Sequence, residues 1–130
     1  MVENPEVLIP TIPESIVVHL GPAEESAPNV RVGFIDYIAN VASNEIYPTW
    51  PENALIANMI AQISFALNRY YTEYYRSKGY DFDITSSTRT DQAYDPSGSV
   101  FENISLLADR LFNSYIPREG CVEPLYALYC

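Results

Sequence analysis

The sequence predicts an α+β fold: a single domain with a long central helix, a second amphipathic helix and short strands. Three observations carry this. From Pro51 to about Lys78 apolar residues recur at helical spacing, and Gly79 then supplies a stop. Short runs rich in β-branched residues, such as Ile16 to Leu20, stand between loops that carry proline. No regular strand–helix–strand alternation links these pieces, which favours α+β over a parallel α/β sheet. A chain of 130 residues is one domain, long enough for a real core.

The elements follow in order. Residues 1–14 carry Pro5, Pro10 and Pro13 and read as an extended arm. Ile16 to Leu20 is a strand, so 1–29 forms an arm with one short strand and 30–130 is the domain proper. Gly21 to Asn29, with Pro22 and Pro28, is a loop, and Val30 to Val32 is a second short strand. From Phe34 the period changes. Phe34, Ile35, Tyr37, Ile38, Val41, Ala42 and Ile46 fall three and four apart, a helical stripe.

The long helix has Ala54, Ala57 and Ala61 as a small-residue stripe for close backbone approach. Leu55, Met59, Ile63, Ala66 and Tyr70 form a second row. Ile56, Ile60 and Leu67 widen it until the first half is apolar nearly all round, as in a buried helix. The second half, Arg69 to Arg76, is aromatic. It reads as either a sugar-stacking surface or core and rim. Asp81 to Thr85 alternates as a strand, and Asp95-Pro96-Ser97-Gly98 is a turn. Ser99-Val100-Phe101-Glu102 has the capping-box form. The helix it opens has Phe101, Ile104, Leu107, Leu111 and Phe112 on one face, and Pro117 closes it. Val122 to Tyr129 reads as a last strand.

Charge narrows the partners. The formal net charge is −10, with seven Lys and Arg in all. That argues against nucleic acid or an anionic membrane, both of which need a basic surface. No apolar run approaches the roughly 18 residues of a span, so no membrane insertion is expected. The acidic start, Met1 to Glu6, lacks the basic and apolar parts of an export signal. His19 is the single histidine, which disfavours Ser-His or Cys-His nucleophilic chemistry. It lies in the apolar run and reads as a strand residue. Cys121 and Cys130, with no His or Cys cluster around them, make a poor zinc site. If residues 121–130 are one extended strand, the two thiols stand on the order of 30 Å apart and cannot be bridged. No cofactor or metal is implied.

One stretch carries chemistry. Glu45 precedes Ile46-Tyr47-Pro48-Thr49-Trp50-Pro51. Each proline disfavours helix at the residue before it, so a helix reaching Glu45 should break at Tyr47 and another begin at Pro51. Glu45 then lies at a helix end beside Tyr47 and Trp50. A carboxyl group in aromatic surroundings is a candidate general acid, because desolvation disfavours its charged form. An ordinary solvated glutamate at a helix end is the competing reading.

Glu45, Trp50-Pro51, Ala54-Leu55, Ala57, Ala61 and Ala66-Leu67 together resemble the signature of the stage II sporulation protein D (SpoIID/LytB) family. Gln92-Ala93-Tyr94 resembles its Gln-Val-Tyr element. The resemblance covers about residues 30–130. The stretches around Asp36-Tyr37-Ile38, Tyr80 to Thr85 and Phe101 to Ile104 are similar to clostridial spore-cortex and peptidoglycan-binding members. This chain departs from the pattern where the family's Arg falls on Ile63 and its Lys on Ile56. Pro48 stands three residues after Glu45, not two. The family's later Gly-rich part is expected to be missing.

The resemblance implies a lytic transglycosylase acting on peptidoglycan glycan strands and leaving a 1,6-anhydro product. Glu45 would be the acid and then the base, with Tyr47, Trp50, Gln92 and Tyr94 holding sugar rings and Asp91 facing developing positive charge. It implies an extracytoplasmic place, at the cell wall or spore cortex. A domain that binds glycan without cutting it, or a structural domain, is the alternative. The oligomeric state is left open.

Overall fold

The computed structural model describes residues 12–114. Strands β1 (Ser15–His19), β2 (Asn29–Gly33) and β3 (Ile84–Thr85) form a sheet in the order β2-β1-β3. β1 pairs antiparallel with β2, Ser15 opposite Gly33, and parallel with β3, Val18 opposite Ile84. Three helices, α1 (Phe34–Glu45), α2 (Glu52–Tyr71) and α3 (Glu102–Ser114), complete a mixed α+β domain with one long helix.

The alternation along β1 explains the two layers. Ile16 and Val18 face the helices and join the main core with Phe34, Tyr37, Met59, Ile63, Ile104 and Leu111. Val17 faces the other way, onto Tyr75 and Phe82. His19 shares that second face and stacks on Phe82 at 4.3 Å. Its ring nitrogens lie 2.6 Å from Asn29 Oδ1 and 2.8 Å from the Glu25 carbonyl. It is a strand residue fully engaged by its neighbours.

α1 follows β2 without a loop and is the most enclosed helix; Phe34, Tyr37, Ile38, Ala39, Asn40, Val41, Ala42 and Ser43 are all buried. It stops at Glu45, with Ile46 extended, as the proline at 48 requires. Pro51 stands just outside α2, where its carbonyl accepts from the Ala54 and Leu55 amides.

The long helix differs from expectation in length and in faces. It ends at Tyr71, seven residues before Lys78. The Tyr74 N–H donates to the Arg69 carbonyl at 3.2 Å and the Glu73 N–H to the Tyr70 carbonyl at 3.3 Å. Those two bonds make a Schellman motif with Glu73 in the left-handed position, φ 52°. Glycine normally fills that position, so the sequence hides the stop. Gly79, φ 96°, instead caps a short 3-10 turn at Arg76–Lys78. Glu73→Gly is expected to stabilise the fold by about 0.5–1 kcal/mol. It relieves the left-handed strain and removes an acid from the negative helix end, against glycine's extra unfolded entropy. Urea unfolding reads this directly, and a lowered midpoint contradicts it.

α2 is amphipathic rather than apolar all round. Leu55, Met59, Gln62, Ile63, Ala66 and Leu67 are buried, while Ala57 and Ala61 are exposed. The small-residue stripe therefore meets solvent, not another backbone. Ala57→Leu, which overpacking would make costly in a core, should change stability by no more than about 0.5 kcal/mol. A loss of several kcal/mol in thermal unfolding would put that face against something. The aromatic half divides: Tyr75 is buried, Tyr70 is half-buried, and Tyr71 and Tyr74 are exposed.

Two further expectations change. Phe82 through Thr85 are all buried and only Ile84–Thr85 is strand. The Asp83 side chain takes the Val17 amide at 2.8 Å, in place of a backbone partner. The Ser99 capping box does not form. α3 begins at Glu102, and the Phe101 carbonyl accepts the Ser105 amide. Phe101 itself is exposed, and its amide donates to Ser43 Oγ at 3.1 Å. Pro117, Cys121, Cys130 and the expected strand from Val122 to Tyr129 lie outside the described residues, as do residues 1–11 of the arm.

Candidate functional site

Tyr37, Asn40 and Asn44 are spaced three and four apart, so they line one face of α1, and Glu45 follows at its end. This polar line holds the extended segment Gln92 to Asp95. Asn40 acts as a substitute peptide group: Nδ2 donates to the Asp95 carbonyl at 2.8 Å, and Oδ1 accepts the Asp95 amide at 2.9 Å. Asn44 Nδ2 donates to the Ala93 carbonyl at 3.0 Å, while Glu45 Oε2 accepts the Ala93 amide at 3.0 Å. Both polar groups of the Ala93 backbone are thus held by adjacent side chains of α1. The expected turn closes the segment, with the Gly98 amide on the Asp95 carbonyl at 2.9 Å. A Cβ on Gly98 would lie 3.1 Å from Asn44 Oδ1 and 3.2 Å from the Asp95 carbonyl, a tight fit that a larger residue meets only if those neighbours shift.

The segment is anchored from the other side by Asp91, whose side chain is fully buried. Its Oδ1 accepts Arg69 Nε at 2.8 Å. Its Oδ2 accepts the Tyr75 hydroxyl at 2.6 Å, the Thr85 amide at 3.0 Å and the Thr85 hydroxyl at 2.6 Å. The Arg69 guanidinium also lies 3.9 Å from the Tyr74 ring centroid. A carboxylate so enclosed and so bonded ties α2 and β3 to the segment and presents nothing to solvent.

Gln92 is also buried. Its Oε1 accepts the Tyr37 hydroxyl at 2.9 Å, and its Nε2 donates to the Gln62 carbonyl at 2.9 Å. Tyr94 is half-buried and stacks on Tyr37 at 5.4 Å. Burial pushes the Tyr37 phenol well above its ordinary range, and the negative charges of Asp91 and Glu45 add to that. Burial likewise raises Tyr75, with its bond to Asp91 adding, and raises Tyr94, with Asp36 and Asp95 adding. A neutral phenol favoured by folding contributes stability that is whole below the unfolded pKa and is lost as pH rises through the folded one. Stability in urea should therefore fall from about pH 10 upward, and a flat profile there would contradict these burials.

Glu45 is exposed. Besides Ala93, it accepts Gln62 Nε2 on Oε1 at 3.1 Å. No Arg or Lys among the described residues pairs with it. The aromatic surroundings expected for it lie to one side. Tyr47, 67% exposed, and Trp50, 36% exposed, sit on the following turn with ring centroids 6.0 Å apart. Trp50 lines a cleft of about 280 Å³ with Glu52, Leu55, Asn103, Leu106, Leu107 and Arg110. A larger cleft, about 550 Å³, lies at the far end of α2 by Arg31, Tyr70 and Arg76. Glu45 lines neither.

The structure therefore joins Glu45 to the Gln92–Tyr94 element through Ala93, leaves Tyr47 and Trp50 open beside it, and withdraws Asp91 and Gln92 from solvent. Sequence reasoning missed Asn40, Asn44, Gln62 and Arg69. The first two were detectable as polar residues in step with Tyr37 on the apolar helix. Among the described residues no group of His, Cys, Asp and Glu could hold a metal ion, and no helix is long and apolar enough to cross a membrane.

A family model described as SpoIID, Stage II sporulation protein, matches residues 26–109. That span holds β2, α1, α2, β3 and the first half of α3, with both halves of the Glu45–Ala93 contact. No curated protein and no solved structure matches the chain.

Proposed function

The chain belongs to the SpoIID family of stage II sporulation proteins, and from that premise we propose that it is a lytic transglycosylase acting on the glycan strands of peptidoglycan. The observation that carries the reading is the exposed carboxyl of Glu45, set by Ala93 of the Gln92–Tyr94 element and followed in the chain, on the next turn, by the two open rings of Tyr47 and Trp50. Breaking a glycosidic bond needs a proton on the leaving oxygen. In an intramolecular reaction the sugar's own C6 hydroxyl then attacks C1 and returns a proton to the same carboxylate. One carboxyl group serves both steps, so the paired carboxylates of hydrolytic glycosidases are not required. Glu45 takes that role. Tyr47 and Trp50 offer faces on which sugar rings stack, and the half-buried Tyr94 offers a phenol beside the segment. Asp91 and Gln92 act by holding Ala93 in place.

The same reading puts the domain outside the cytoplasm, at the cell wall or spore cortex, in the manner of the clostridial peptidoglycan-binding members it resembles. A second reading has its own support. Glu45 is bonded to Ala93 as a clip and lines neither cleft, which suits a domain that holds glycan without cutting it. Incubation with purified sacculi or cortex, followed by mass spectrometry, separates the two. Anhydro-muropeptides establish the enzyme; retention on sacculi without them establishes the binding domain.

A further inference from the structure

Two buried amides stand behind Glu45, and they are bonded differently. Gln92 has a partner at each end, the Tyr37 hydroxyl on Oε1 and the Gln62 carbonyl on Nε2, so its orientation is fixed. Gln62 is 94% buried and has a partner at one end only. Its Nε2 donates to Glu45 Oε1 at 3.1 Å, while its Oε1 has no hydrogen-bond partner among the described residues. An unpartnered buried acceptor is uncommon and points to a second state in which it is used.

We infer that Gln62 is the positioning residue that holds Glu45 in both protonation states, turning its amide as the proton on Glu45 Oε1 comes and goes. The inference rests on the acid/base role proposed for Glu45. The two oxygens of Glu45 have unlike partners. Oε2 faces a backbone N–H, which can only donate, so Oε2 remains the carbonyl-like oxygen when the group is protonated. The proton therefore rides on Oε1. There it meets an amide, the one side-chain group that presents a donor and an acceptor of nearly identical shape. Toward the carboxylate Gln62 turns Nε2. Toward the acid it turns Oε1, which accepts the Oε1–H of Glu45. Either setting leaves one amide atom unpartnered, so neither is locked.

During the reaction the Oε1–H of Glu45 turns away from Gln62 Oε1 to the glycosidic oxygen and gives it the proton. The C1–O bond breaks, and its electron pair goes to that oxygen. The amide turns Nε2 to the new carboxylate. The C6 hydroxyl then bonds to C1, its proton returns to Oε1, and the amide turns back.

The test is side-chain amide NMR on the ¹⁵N-labelled chain, followed across the carboxylate pH range. The Gln62 Nε2 signals, assigned by their loss in Gln62→Met, should shift with the ¹³C signal of the Glu45 carboxyl. Asp91 and Tyr37 also face this region, one through the buried segment and one from α1. Glu45→Gln separates them, because it should make the Gln62 signals pH-invariant while leaving Asp91 and Tyr37 in place. Gln62 signals that ignore the Glu45 titration, or that still follow pH in Glu45→Gln, overturn the inference. On sacculi, Gln62→Met should lower kcat about tenfold with KM unchanged, at a thermal midpoint that shows a folded chain. A raised KM with kcat intact overturns it too. Anhydro product with pH-invariant Gln62 signals refutes this inference and leaves the proposed reaction standing. Signals that track Glu45 in a chain that never cuts glycan do the reverse.

Discussion

Glu45→Gln is expected to lower anhydro-product formation by about 10²–10⁴-fold, the usual contribution of a general acid–base group. The substitution keeps shape and removes proton transfer. Its carbonyl can still accept the Ala93 amide, and Gln62, free at its other end, can offer an acceptor to the new Nε2. The fold should therefore persist, with a thermal midpoint close to wild type, and binding to sacculi should be largely kept because Tyr47 and Trp50 are untouched. A variant that cuts as fast as wild type would make Glu45 a clip for the segment and nothing more. A variant that unfolds would assign the residue to structure as well, since two hydrogen bonds at an exposed helix end carry modest net stability.

The largest expected effect on stability is at Asp91. Asp91→Leu removes one half of a buried pair and leaves Arg69, 15% exposed, without its carboxylate. It also orphans the Tyr75 hydroxyl and both donors of Thr85. Breaking one partner of a buried pair typically costs about 3–5 kcal/mol. At about 4 °C per kcal/mol, the value between those of roughly 60–100- and 150–250-residue domains, the thermal midpoint should fall by about 12–20 °C. Arg69→Met with Asp91→Leu should recover much of that loss, because the uncompensated charge goes with its partner. If the single variant melts within a few degrees of wild type, the segment is held mainly by α1 and the carboxylate is not its anchor. The surface pair of Arg89 and Glu24, at 3.6 Å and mostly exposed, is the natural control, and its removal should be nearly silent.

These two residues show how a reading of residue types divides. Glu45 opens a motif that resembles the family's, and Asp91 stands just before the Gln92-Ala93-Tyr94 element that resembles another. Sequence places each beside its element but does not report burial. Glu45 falls at a helix end that Pro48 enforces, so exposure follows from local rules. Asp91 lies in a polar loop, where exposure is the natural expectation. It is buried because Arg69 of α2, Thr85 of β3 and Tyr75 from the turn between them converge on it.

Residue order therefore settles what short-range forces decide. The α+β class, α1 with its stop after Glu45, the restart beyond Pro51, the Asp95–Gly98 turn and strands β1 and β2 all follow from periodicity, proline and turn chemistry within a few residues. Tertiary structure alone decided the rest. The Ala57 stripe faces water because apolar spacing gives an angle around a helix, not which side meets the core. α2 stops at a glutamate in a glycine conformation, which local preference disfavours by about 1–2 kcal/mol. β3 is short because the Asp83 side chain replaces a backbone partner. The contact that makes the candidate site, Glu45 with Ala93, joins residues 48 apart. No local pattern encodes such a pairing. It exists because Asn40, Asn44 and Asp91 bring a polar segment against a helix whose own preferences say nothing about that segment.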